Sequence, residues 1–157
     1  MPNIHTNDLE PNDGLPRARL AEAAGAEHLG LTVYELAPGQ GMHFHYHLQR
    51  EELLVVLEGT VAVRIGDGWE DAPAGAVVAF PRGERGAHGY ENRGDRPVRL
   101  LMFSEQNAPN VSVYPDARQV GIYDVADPEQ RRFGALFNLG DAISGYGGGQ
   151  PFDEPRP

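Results

Sequence analysis

Residues 39–59 read GQGMHFHYHLQREELLVVLEG, and this stretch decides the fold. It joins a histidine-rich run, two adjacent glutamates and an apolar run between bounding glycines. In an extended strand, side chains two apart share a face. On that rule His43, His45 and His47 project together, and Glu51 and Glu52 follow across a short turn. Imidazole and carboxylate are the donors that zinc, iron, manganese, nickel and copper accept. The chain has no cysteine, so a metal here rests on nitrogen and oxygen donors.

Outward from this stretch, the chain keeps one grammar from residue 29 to residue 103. Short apolar pieces (LTVYEL, ELLVVL, TVAVRI, AVVAF, VRLLMF) alternate with glycine-bearing turns (PGQG, IGDGW, PRGERG, NRGD). Strands of this length, with no long amphipathic helix between them, predict an all-β sandwich or barrel. ELLVVL and AVVAF are apolar at successive positions, which predicts strands buried on both faces. A fourth metal donor, His88, follows AVVAF and one turn, where an antiparallel partner strand returns.

The flanks are weaker. Residues 1–16 are polar and broken by prolines, an arm that orders only by docking. Residues 17–28 (RARLAEAAGAEH) favour a helix or helical turn. Beyond Phe103, residues 111–114 and 120–123 are short strand candidates, 127–132 a helical turn, and 145–157 a Gly/Pro-rich tail. The division is therefore an arm and short helix at 1–28, a barrel at 29–105 and an extension at 106–157.

Net charge is −10, and arginine is the sole cationic side chain beyond the six histidines. Such a chain repels phosphate backbones and anionic membrane surfaces, which disfavours nucleic acid and lipid as partners. The longest apolar run, residues 53–57, falls far short of the ~20 residues a membrane span needs. Residues 1–13 lack a basic-then-apolar leader pattern, so the expected compartment is the cytoplasm.

The quoted stretch resembles the first cupin motif: Gly39, five residues, His45-x-His47, four residues, Glu52, six residues, Gly59. Residues 75–92 (GAVVAFPRGERGAHGYEN) are similar to the second: Gly75, five residues, Pro81, x, Gly83, His88, three residues, Asn92. Four residues separate Gly83 from His88 where two are usual. More narrowly, the chain resembles small single-domain bacterial cupins. That resemblance implies a double-stranded β-helix (jelly-roll) barrel, a homodimer, and one divalent metal on His45, His47, Glu52 and His88. The motif spacing favours the pair His45–His47 over His43–His45, and Glu52 over its rival Glu51.

Three histidines and one glutamate leave open positions on a six-coordinate ion. The expected function is an enzyme acting on a small oxygen-bearing organic molecule. A dioxygenase-type oxidoreductase stands slightly ahead of an isomerase, lyase or decarboxylase, and a non-catalytic small-ligand-binding barrel is the alternative. Tyr90, His43 and Glu51 are the candidate proton donors or acceptors beside the metal. Arg64, which interrupts an apolar strand, is a candidate anion holder. The donor set does not choose among iron, manganese, zinc, nickel and copper.

Overall fold

The computed structural model describes residues 1–5, 8–12, 15–123, 134–141, 143–144 and 150–151. The elements in chain order are β1 (Glu10–Asn12), β2 (Leu15–Arg19), α1 (Leu20–Ala23), β3 (Leu29–Leu36), β4 (Gly41–His47), β5 (Glu52–Glu58), β6 (Thr60–Ile65) and β7 (Gly68–Pro73). They continue with β8 (Val77–Phe80), β9 (His88–Glu91), β10 (Val98–Glu105), β11 (Asn110–Tyr114), β12 (Gln119–Tyr123), β13 (Gly134–Asn138), β14 (Ile143–Ser144) and β15 (Gln150–Pro151). The one α-helix among the described residues has four residues. The protein is all-β, as its alternating apolar pieces predict.

Two sheets form the body. One runs β1-β2-β3-β10-β5-β8, and the other β13-β12-β11-β4-β9-β6-β7. Successive strands mostly cross from one sheet to the other, which is the jelly-roll path. Leu36, Leu54, Val56, Leu100 and Met102 on the first sheet meet Val61, Val63, Ala72 and Tyr90 on the second. Leu36, Leu54, Val61 and Leu100 are fully buried, and burying such a side chain is worth about 1.5–3 kcal/mol. This apolar floor leaves the other end of the barrel to polar groups.

The two doubly apolar runs behave differently. In β5, Leu54 and Val56 face the barrel, while Val55 and Leu57 pack on a second cluster of Ala18, Leu20, Val33 and Leu101. Ile4 and Leu9 cover that cluster, so the N-terminal arm shields the outer face of β5. In AVVAF only Phe80 is buried, and Val77 is 61% exposed. β8 is the edge strand of its sheet, beyond the arm's cover.

Within residues 17–28, expected as a helix or helical turn, Leu20–Ala23 form the one-turn helix α1, while Arg17–Arg19 close strand β2. Arg17, Ala18 and Arg19 pair with Tyr34, Val33 and Thr32. This pairing buries Ala18 and outweighs the helical preference of the sequence; α1 then lasts one turn before Gly25, whose φ is +84°. After residue 105 the chain continues the second sheet. β11 pairs with β4, Ser112 opposite His47, and β12 and β13 follow in the same sheet. These strands are short, five residues each in β11 and β12, so their alternation reads weakly in the sequence. The helical turn expected at 127–132 and most of the tail expected at 145–157 lie outside the described residues.

The additional residues between Gly83 and His88 form one 3-10 turn, Glu84–Gly86. The backbone N–H of Gly83 donates to the carbonyl of His47 at 2.8 Å, tying this turn to the end of β4. A side chain at Gly86 would collide with the Pro81 carbonyl, so the turn closes only with glycine there. Asn92 anchors the far end of β9. It is fully buried and donates to the carbonyls of Leu36 and Arg96, each at 2.8 Å. Its role is structural.

Candidate metal centre

β4, β5 and β9 bring four side chains together at the polar end of the barrel. His45 stands opposite His88 across the β4–β9 ladder. Glu52, the first residue of β5, enters from the facing sheet. One donor atom from each of His45, Glu52 and His88 lies within 4.8 Å of the others. His47 joins them through its Nε2, 3.2 Å from Glu52 Oε2, and His88 Nε2 is 3.4 Å from that same oxygen.

The other ring nitrogen of each histidine is already engaged. His45 Nδ1–H donates to the His43 carbonyl at 2.7 Å, and His88 Nδ1–H to the Gly86 carbonyl at 2.9 Å. A carbonyl only accepts, so Nδ1 carries hydrogen and the neutral ring keeps its lone pair at Nε2. His47 Nδ1 lies 3.0 Å from both Asn110 Oδ1 and Ser112 Oγ. Phe80 stacks on His88 with ring centres 3.7 Å apart and planes 4° from parallel. Tyr114 stacks on His45 at 5.7 Å.

These donors fit a divalent cation. His88 Nε2 is buried without a hydrogen-bond partner. Two imidazole lone pairs and one carboxylate oxygen at 3.2–3.4 Å repel unless a cation lies among them. Burial, then the neighbouring His88 and His47, push the His45 pKa down to about 4, which leaves its lone pair free at neutral pH. Burial alone would raise the Glu52 pKa. The adjacent His47 and His88 overcome it and hold the carboxyl well below the usual range, ionised as a ligand must be.

The candidate proton-transfer residues are placed elsewhere. The three histidines of β4 do not share one face, because the register with β9 shifts between Met42 and His45. His43 is exposed and lines a neighbouring groove with Phe44 and Asp116; its carbonyl, not its ring, reaches the cluster. Glu51 is exposed, and its backbone N–H donates to Glu105. Tyr90 lies in the barrel core, 2% exposed, and burial raises its phenol pKa well above the ordinary value. Arg64 pairs with Asp116 and covers the Phe44 ring at 3.9 Å, outside the cluster.

A cavity of about 310 Å³ opens beside Glu52. Arg17, Tyr34, Arg50, Met102 and Ser104 line it. Arg17 and Arg50 were missed, as were Asn110, Ser112 and Tyr114. The strand parity Asn110–Ser112–Tyr114 was a signal available in the sequence, but only the pairing of β11 with β4 gives it meaning.

The Cupin domain profile matches residues 32–104. The tetracenomycin polyketide synthase protein TcmJ of Streptomyces glaucescens is 31% identical over 116 residues, 73% of this chain and 74% of TcmJ. The chain is a cupin. The cupin barrel also places it near a putative sugar phosphate isomerase from Acidithiobacillus ferrooxidans, with TM-score 0.73, 21% identity, and 83% of this chain and 80% of that one covered. The polyketide cyclase RemF of Streptomyces resistomycificus is similar too, with TM-score 0.56, 24% identity, and 67% and 79% covered. These likenesses show the fold. No helix among the described residues is long and apolar enough to cross a membrane.

Proposed function

We propose that this cupin is a mononuclear metal enzyme catalysing ring closure or isomerisation of a small, carbonyl-rich molecule, with His45, His47, Glu52 and His88 holding the metal. The observation that carries the reading is the convergence of three Nε2 atoms and one carboxylate beside an open cavity. A divalent ion at such a site polarises a bound carbonyl and acidifies the adjacent C–H without requiring a redox change. The relationship to a polyketide synthase protein favours carbonyl-rich substrates, and RemF supports cyclisation on the same barrel. Both likenesses support lyase or isomerase chemistry over the dioxygenase-type reaction.

The chain's own contribution is orientation and proton placement. Tyr34 faces the cavity, and its hydroxyl oxygen accepts a hydrogen bond from Arg17. Burial raises its phenol pKa, so the O–H stays protonated and can donate to a substrate oxygen. Met102 supplies an apolar wall that limits water around the reacting group. Its partners are a small molecule and a second copy of the chain, with no nucleic acid or membrane. Val77 and Phe103, exposed on β8 and β10, offer apolar surface for that copy.

Zinc-loaded protein incubated with a linear triketone under argon tests the reading. Cyclised product, formed faster than in buffer and lost in His45→Ala, supports it. Oxygen uptake by iron-loaded protein, with no anaerobic reaction, overturns it in favour of a dioxygenase. Light scattering at micromolar concentration checks the homodimer, and a monomer rejects that part.

A further inference from the structure

Arg17 occupies an unusual place for a cation. It lies on β2, pairs with Tyr34 across the ladder to β3, and lines the cavity that Glu52 opens into. Its Nε is buried without a hydrogen-bond partner, and no described carboxylate forms an ion pair with it. Across the same cavity stands Arg50, 9% exposed, one Nη donating to the Asn107 carbonyl at 2.8 Å and Nε again without a partner. A guanidinium withdrawn from water, fully as in Arg50 or half as in Arg17, is costly unless an anion compensates it.

No described acid nearby forms an ion pair with Arg17 or Arg50, and only the Glu52 carboxylate favours the charge of Arg50, from a distance. Glu52 is engaged by His47 and His88. Glu22 and Glu27 are exposed at the rim, and Glu22 pairs at 3.7 Å with Arg19 rather than Arg17. In a chain of net charge −10, three arginines line this cavity, and of these Arg17 and Arg50 have no paired carboxylate among the described residues. A guanidinium matches carboxylate and phosphate in shape, through two parallel donors.

We infer that the substrate carries an oxoanion group, a carboxylate or a phosphate, and that Arg17, backed by Arg50, holds it at the cavity wall facing the metal cluster. The anion then fixes which oxygen of the molecule reaches the cluster, and Tyr34 lines the same cavity. This rests on the proposed metal enzyme only in taking the cavity as the substrate site. The arginines do not depend on an ion being bound.

Calorimetry of metal-depleted and zinc-loaded protein, titrated with inorganic phosphate and with acetate, tests it, together with zinc content by mass spectrometry. The inference predicts that phosphate or acetate binds both forms and that Arg17→Met weakens binding at least tenfold. Zinc content should stay at wild type. Arg17→Lys, which keeps the charge and loses the fork, should fall between, and it carries the test if Arg17→Met does not fold. Tighter phosphate points to a phosphoryl group, and tighter acetate to a carboxylate. Equal affinity in wild type and both variants, or no anion binding at all, overturns the inference while leaving the metal reading intact. Anion binding that follows Arg17 in protein unable to take zinc upholds it and defeats the metal reading instead.

Discussion

His88 Nδ1 and the Gly86 carbonyl, two residues apart, meet at 2.9 Å, and this contact aims His88 Nε2 at Glu52. The ring is held from three sides: by that carbonyl, by the stacked Phe80, and by the β9 ladder. Gly86 is therefore a positioning residue although it touches no ion. In Gly86→Ala the new methyl meets the Pro81 carbonyl, and the turn must shift. Metal affinity should fall about 10–100-fold, as when other such supporting partners are lost. Competition against a metal-binding dye measures it, and unchanged affinity would show that the turn does not aim the ring.

Asn110→Ala removes one partner of His47 Nδ1 and leaves Ser112 in place. The ring is then less firmly oriented, and metal affinity should drop by about tenfold. The double variant with Ser112→Ala should lose more than Asn110→Ala does. A dye titration with equal affinities throughout would mean that β11 has no part in the site.

Acid should weaken the metal-free protein. His45 titrates near 6.5 when unfolded and at about 4 when folded. Between those values the unfolded chain binds more protons, so stability falls as pH drops from about 6.5 to about 4. The full loss is up to about 3 kcal/mol, at 1.36 kcal/mol per pKa unit. Glu52, with its pKa depressed in the fold, adds a loss at lower pH, beginning below its ordinary value near 4.5. Urea melts at pH 7 and pH 4.5 check this. His45→Gln should flatten the upper part of the profile, and an equally steep profile there would assign it to another group.

Tyr34→Phe keeps the ring and removes the hydroxyl that faces the cavity. With the proposed proton role, kcat should fall roughly 100-fold or more, with zinc content and melting temperature near wild type. A change confined to KM would reduce Tyr34 to a binding residue.

Leu20 is 4% exposed in the outer cluster that the N-terminal arm covers. Leu20→Ala should cost about 2–4 kcal/mol of stability without altering metal affinity. Measured stability within about 0.5 kcal/mol of wild type would mean that the arm does not dock as described.

Particular residues show what the sequence could reveal. The grouping of His45, Glu52 and His88 was legible through the spacing of the two motifs, which preferred them over the neighbouring His43 and Glu51. His43 was misplaced because a ladder irregularity cancels the two-residue rule, and no residue type marks such a shift. Arg17 looked helical because its neighbours are alanine and leucine, whereas pairing with β3 overrides local preference. Ser112 and Asn110 share strand parity, but that parity has no meaning without its partner strand. Their function comes from a strand partner more than 60 positions away.

X-ray absorption on zinc-loaded protein tests the central claim most directly. Three imidazoles and a carboxylate sharing one ion predict a nitrogen/oxygen shell at about 2.0–2.2 Å with multiple scattering from three rings. That scattering should diminish by one ring in His88→Ala. A shell with one imidazole or none, or one unchanged by His88→Ala, would contradict the account.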